Sequence, residues 1–189
     1  MIRLASLARE TRESIYFATA ECSLGSVLVA AAAQGICAIL LGDNADASMR
    51  ELKTYFPSAQ PRDDGNYAEF ENSLAKVVGF IEAPWLGLDL ALDVRGTLFQ
   101  QRVWQALREI PAGVTASYGA IAERIGAPQH AYAVGQACAA NIIAVAIPCH
   151  RAVRKDGSLA GYRWGLERKR ALLEREVRAS WQQYQSALH

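Results

Sequence analysis

The alternation of apolar and polar positions divides the chain near residues 93–96. Before that point, residues 15–19, 26–32 and 36–41 are short apolar runs of the kind strands use, and Gln34-Gly35 between the last two predicts a hairpin. Helical spacing follows. Met49, Leu52, Tyr55 and Phe56 mark a helix over 47–56 that Pro57 stops, and Phe70, Leu74, Val77 and Val78 mark another over 67–81. Beyond the division the chain reads as mostly helical. Thr97 is placed to cap a helix running to 109, with Phe99, Val103, Trp104 and Leu107 on one face and Pro111-Ala112-Gly113 ending it. Two short helices over 118–125 and 130–140, separated by Gly126-Ala127-Pro128-Gln129, form a helix-turn-helix pattern. The pattern therefore predicts a compact α/β half followed by a helical half.

Composition adds few constraints and charge adds one. With 189 residues, 51% of them hydrophobic, the chain can bury roughly 70% of the surface its unfolded form exposes, so it needs no covalent staples. The formal net charge of +1 hides a division. Residues 1–94 carry 7 Lys and Arg against 13 Asp and Glu, and residues 95–189 carry 13 against 6, so the halves stand at −6 and +7. The second half suits a polyanion, although a charge run is also what a solvated face looks like. No apolar run reaches the ~20 residues of a membrane span, and Arg9, Glu10, Arg12 and Glu13 interrupt the N-terminus where a signal peptide needs its apolar stretch. The four cysteines, at 22, 37, 138 and 149, lack zinc-site spacing, so no metal is expected and a reducing cytoplasm is the simplest setting.

The candidate chemistry lies in Ile147-Pro148-Cys149-His150-Arg151, where a thiol stands beside an imidazole and a guanidinium. Only a thiolate attacks, and an ordinary cysteine with a pKa of ~8.5 is mostly protonated at neutral pH, so a neighbouring base and cation lower that barrier. Cys149 is the candidate nucleophile; adjacency alone equally fits a small buried residue. Cys22, Cys37 and Trp104 read as core. The helix over 130–140 is built from small residues that allow close approach to a second helix or to a nucleic-acid groove, and both readings stand.

Four blocks in order resemble the O6-alkylguanine-DNA alkyltransferase family (methylated-DNA–protein-cysteine methyltransferases), most of all the repair half of its Ada-type members. They are GTLFQQRVWQAL at 96–107, ASYGAIAERIG at 116–126, AANIIAVAIPCHRAV at 139–153 and GSLAGYRWGLERKRALLEREV at 157–177. The resemblance implies an extension at 1–20, a small ribonuclease-H-like α/β domain at 21–94, a mostly helical domain with a helix-turn-helix at 95–178, and a tail at 179–189. It implies direct reversal of DNA damage: a nucleotide is flipped out of the duplex, and the methyl or alkyl group of O6-alkylguanine, with O4-alkylthymine as a second candidate, passes irreversibly to Cys149. No cofactor is implied, and the partner is alkylated DNA, engaged from the minor groove by a monomer.

By the same resemblance His150 activates Cys149 through a water, Glu176 orients the imidazole, and Tyr118 rotates the phosphate and assists the leaving guanine. Asn141 braces the nucleophile, Arg151 belongs to the DNA-binding set, the carbonyls of Cys149 and Ala152 accept from the guanine amino group, and Gly161, Tyr162 and Arg163 wall the pocket. Two positions depart from the family. Tyr132 stands where an arginine finger is usual, and Ala152 where valine is usual; a phenol can wedge between bases but lacks the charge of guanidinium. Two other readings compete: a non-catalytic sensor of alkylated DNA, and a repair half separated from an Ada-like transcriptional regulator.

Overall fold

A computed structural model describes residues 14–61 and 68–186. Residues 1–13 of the extension, Tyr67 and the last three residues of the tail lie outside the described residues. The architecture is mixed α/β: β1 (Tyr16–Cys22), β2 (Gly25–Ala32), β3 (Gly35–Gly42), α1 (Ala45–Tyr55), β4 (Gln60–Pro61) and α2 (Ala68–Glu82), then α3 (Leu98–Arg108), β5 (Ala116–Ser117), α4 (Tyr118–Arg124), α5 (Ala131–Ala139), β6 (Ala152–Val153) and α6 (Leu166–Ser186). The sheet thus begins inside the segment read as an extension, and α6 runs past residue 178.

The first sheet has the order β3-β2-β1-β4. β1, β2 and β3 form an antiparallel meander with two-residue turns, pairing Cys22 with Gly25 and Ala32 with Gly35. Both faces of β2 and β3 are covered, and Val27 to Ala30 and Ile36 to Leu41 are buried without alternation, which is why they read as continuous apolar runs. Gly35 has φ +140°, and a Cβ there would come within 2.4 Å of the Ala91 carbonyl oxygen; only glycine lets that segment approach.

The open edge of β3 is where the two halves meet. Ile36 N–H donates to Ala91 O at 2.8 Å and Asp93 N–H to Ile36 O at 2.9 Å; further along, Ile39 N–H donates to Ile142 O and Ala144 N–H to Ile39 O, both at 2.9 Å. Those bonds use backbone groups that an edge strand would otherwise leave unpaired. They also fix the segment leading into Cys149. One apolar core continues from the sheet through Trp104 and Leu107 of α3 to Ile121 of α4 and Leu172 of α6.

The helices end where the sequence provides caps. Thr97 and Gln100 form a reciprocal capping box at α3, with Gln100 N–H to Thr97 Oγ1 at 3.2 Å and Thr97 N–H to Gln100 Oε1 at 2.9 Å. Ser117 caps α4 through its hydroxyl to Ala120 N–H at 3.1 Å. The Trp104 indole N–H donates to Ala137 O at 2.9 Å, tying α3 to α5 from inside the core. A two-stranded parallel pair, β5 with β6, was not legible from pattern: each strand is two residues long. No described helix is long and apolar enough to cross a membrane.

Candidate active site

Cys149 opens a single 3-10 turn, Cys149–Arg151, directly before β6. The segment before it is forced into place. Val145 has φ +58°, a left-handed conformation that a β-branched residue adopts only under constraint, and the β3 bonds on one side and the buried turn on the other supply it. Asn141, just after α5, spends its side chain on this segment: its amide donates to Ile147 O at 2.9 Å and to Cys149 Sγ at 3.2 Å, and its oxygen accepts from Ile143 N–H at 2.8 Å. These three bonds tie Asn141 to the backbone of the segment that leads to Cys149 and to the Cys149 sulfur.

His150 and Glu176 form a buried pair, Nε2 to Oε1 at 2.8 Å. Glu176 also accepts from Arg151 Nε at 3.0 and 3.2 Å, from Arg151 Nη2 at 2.8 Å and from Gly113 N–H at 3.1 Å. Burial alone would raise its pKa, but the hydrogen bonds and charges of His150 and Arg151 outweigh that and hold the carboxyl down at about 2. An ionised Glu176 can only accept, so His150 Nε2 carries the hydrogen. Nδ1 is then the basic atom, and no protein group bonds to it. Burial lowers the imidazole's pKa, against the pull of Glu176, so His150 rests neutral near pH 7.

Cys149 is 3% exposed, and burial pushes its thiol up to about 11 against the lowering effects of Asn141 and Lys169. The resting nucleophile is a thiol with a neutral base beside it in sequence. A cavity of about 320 Å³ opens onto it, lined by Tyr118, Gly135, Cys138, Ala139, Gly161, Tyr162 and Arg163. Tyr118 starts α4, and burial pushes its hydroxyl up to about 12, which keeps it a donor. The Tyr162 ring stands edge-on between His150 and Trp164, with centroids 6.4 and 5.2 Å away.

Of the residues expected in the site, Cys149, Tyr118, Gly161, Tyr162 and Arg163 share this cavity, and His150, Glu176 and Asn141 support it from behind. Three of these groups have partners that the sequence does not announce. Arg151 is buried, with donors on Glu176 and the Ile110 carbonyl, because an ionised carboxylate at that depth needs a cation. Arg163 lines the cavity, yet its guanidinium turns to Glu51 at 2.8 Å, the Ala139 carbonyl at 2.9 Å and the Tyr55 hydroxyl. The Ala152 carbonyl already accepts from Lys169 Nζ at 2.6 Å. Lys169 was missed. Its signal is the buried stripe of α6, Lys169, Leu172, Glu176 and Ala179, whose spacing of three and four residues puts two charges on core positions. Tyr132, the second residue of α5, is 83% exposed and stands outside the cavity lining.

The 6-O-methylguanine DNA methyltransferase DNA-binding domain model matches residues 98–178. The chain is 49% identical over 166 residues to the bifunctional transcriptional activator/DNA repair enzyme Ada of Escherichia coli, covering 87% of this chain but 46% of that protein, so it spans less than half the length of that relative. It is 44% identical to a methylated-DNA–protein-cysteine methyltransferase of Mycolicibacterium paratuberculosis over 128 residues, 68% of this chain and 77% of the relative. Among solved structures, Mycobacterium tuberculosis OGT in complex with DNA superposes with a TM-score of 0.73 at 36% identity, covering 87% of this chain and 94% of that one. A relative matched over 77% of its length and a fold matched over 87% of this chain leave one conclusion: this chain belongs to the O6-alkylguanine-DNA alkyltransferase family.

Proposed function

We propose that the protein repairs alkylated DNA by moving the alkyl group of O6-alkylguanine to Cys149, once per molecule. The observation that carries this reading is the buried Glu176–His150 pair, which leaves Nδ1 as the basic ring atom of the residue that follows Cys149 in sequence, with Cys149 itself in the lining of a cavity of about 320 Å³. The thiol proton passes to Nδ1, directly or through a water, and Glu176 stabilises the imidazolium. Sγ then forms a bond to the alkyl carbon while the carbon–O6 bond breaks. Its electron pair goes to guanine, whose charge Tyr118 stabilises by hydrogen bonding until the proton held by His150 is returned to the base. The product is a thioether, which has no easy route back to thiol, so the reaction ends with the protein spent.

The cavity admits a flipped base and not a duplex, and the helix-turn-helix reading of α4 and α5 gives the surface that meets DNA. Tyr132, exposed on α5, is the residue placed to enter the minor groove and fill the gap left by the extruded nucleotide. We assign residues 21–94, together with the start of β1 from Tyr16, to a scaffold lobe and 95–178 to the DNA-binding and transfer lobe, working as a monomer. The four cysteines form no disulfide among the described residues, which fits a reducing cytoplasm.

Intact-protein mass spectrometry after incubation with an oligonucleotide carrying one O6-methylguanine tests the reading. One added methyl group is expected, mapped to Cys149 and absent both with Cys149→Ala and with unmodified DNA. Retained lesion binding with no mass change would replace transfer by sensing.

A further inference from the structure

The mechanism leaves one buried charge without a task. Lys169 is the largest fully buried side chain among the described residues, and its Nζ donates only to carbonyls, Ala152 O at 2.6 Å and Ala160 O at 3.3 Å. No carboxylate stands within ion-pair distance of it among the described residues. The buried ionic groups around Cys149 are Arg151, Glu176 and Lys169. Arg151 and Glu176 neutralise one another, and His150 rests neutral, so the site carries one positive charge that nothing offsets. A buried ammonium is costly unless an anion accompanies it. The reaction creates one: the Cys149 thiolate.

We propose that Lys169 is the standing counter-cation of the Cys149 thiolate, a positioning residue that acts through the nucleophile and not on the substrate. The proposal rests on the repair reading only in taking Cys149 as the reactive thiol. Ala152 caps the turn carrying Cys149, and Ala160 precedes Gly161 of the cavity wall, so the two bonds of Nζ tie the turn of the nucleophile to the segment that leads into the wall. No hydrogen bond joins it to Sγ; the effect travels through the field. The other groups facing the thiol do not substitute for it. Tyr118 from α4 and Tyr162 from the wall are neutral, Cys138 from α5 is a thiol that burial raises further than Cys149, and Glu176 is engaged by His150 and Arg151. Arg163 is paired with Glu51 and Arg168 with Asp43. Lys169 lowers the cost of the thiolate, and the thiolate raises the proton affinity of Lys169.

The test is the pH profile of Cys149 alkylation by iodoacetamide, a neutral reagent that needs no DNA, read by peptide mass spectrometry in wild type and Lys169→Met. The midpoint is expected to rise by one pH unit or more, so that alkylation below it slows about tenfold or more. An unchanged midpoint in folded Lys169→Met would overturn the proposal. Should that variant not fold, the wild type decides: with 13Cε-labelled lysine, Lys169 is expected to titrate as an ammonium at pH 7.5, and a neutral amine there overturns it. Failure of methyl transfer from DNA, with the pH profile as expected, sinks the repair reading and leaves this one standing.

Discussion

Two residues show how much of the site is held by single side chains. Asn141 satisfies Ile147 O, Ile143 N–H and the Cys149 sulfur at once, all buried. Asn141→Ala leaves the Ile143 amide unpaired, at about 1–3 kcal/mol, and removes one of the two donors to Ile147 O, which keeps Cys149 N–H at 2.8 Å, so urea titration is expected to register a loss of about 2–4 kcal/mol. Transfer to Cys149 should slow as well, because the sulfur loses its donor. Glu176 makes a pH-dependent contribution. Its carboxyl is held at about 2 in the folded protein against an ordinary 4.5, so the unfolded chain takes up its proton first as pH falls. The stabilisation is complete above pH 4.5 and disappears as pH drops toward 2; the gap corresponds to about 3 kcal/mol. His150 acts in the same direction, since burial keeps it neutral while the unfolded imidazole charges below about 6.5. Denaturant titrations from pH 7 to 2 are expected to show wild type losing this increment while Glu176→Gln, less stable throughout because Arg151 loses its partner, shows a flatter acid limb. Parallel acid limbs would remove Glu176 as the cause.

At the scale of elements, α5 carries one of the two positions at which the sequence departs from the pattern the family resemblance leads one to expect. Tyr132 stands on it exposed, where the family resemblance leads one to expect arginine. A charge-assisted contact is worth roughly 1.5–3 kcal/mol, or about one to two factors of ten, unless base stacking of similar size offsets it. Transfer is therefore expected to be slower on duplex than on single-stranded DNA, and Tyr132→Arg to narrow that difference about tenfold; equal wild-type rates on the two substrates would refute it. Most long elements were legible: apolar spacing gave the first three strands and the first five α-helices to within a few residues, and Thr97 announced its own cap. The nucleophile turn was legible only as the string Ile-Pro-Cys-His-Arg, since one turn of 3-10 helix and two-residue strands have no periodicity to read. The resemblance puts Arg151 in the DNA-binding set and Arg163 in the pocket wall, and neither reading tells what holds the guanidinium. Their partners, Glu176 25 residues away and Glu51 112 residues away, exist only in the folded chain.

The opposite charges of the two halves acquire a second meaning in the whole molecule. Arg163 meets Glu51, Arg168 meets Asp43, and Arg175 reaches Ser23 and lies 3.8 Å from Glu82, so part of the basic excess of residues 95–189 is spent on the acidic half. Half-exposed pairs of this kind contribute about 0–1 kcal/mol each, too little to hold two lobes together. The edge of β3 and the shared core do that: Ile39 exchanges two backbone bonds with residues 142 and 144, and the core passes from Leu40 and Ile39 to Ile143 and Ile147 without interruption. A chain comprising residues 95–189 alone would expose that apolar surface and lose the bonds that hold Val145 in its left-handed conformation. It is expected to lack a cooperative thermal transition and near-ultraviolet circular dichroism, and to transfer no methyl group to Cys149, even though it contains every residue of the catalytic set. Co-expression with residues 1–94 is expected to restore both signals, because what the first half supplies is an edge and a core face and not a catalytic group. A fragment of 95–189 that melts cooperatively and accepts the methyl group by itself would show that β3 is dispensable to the site.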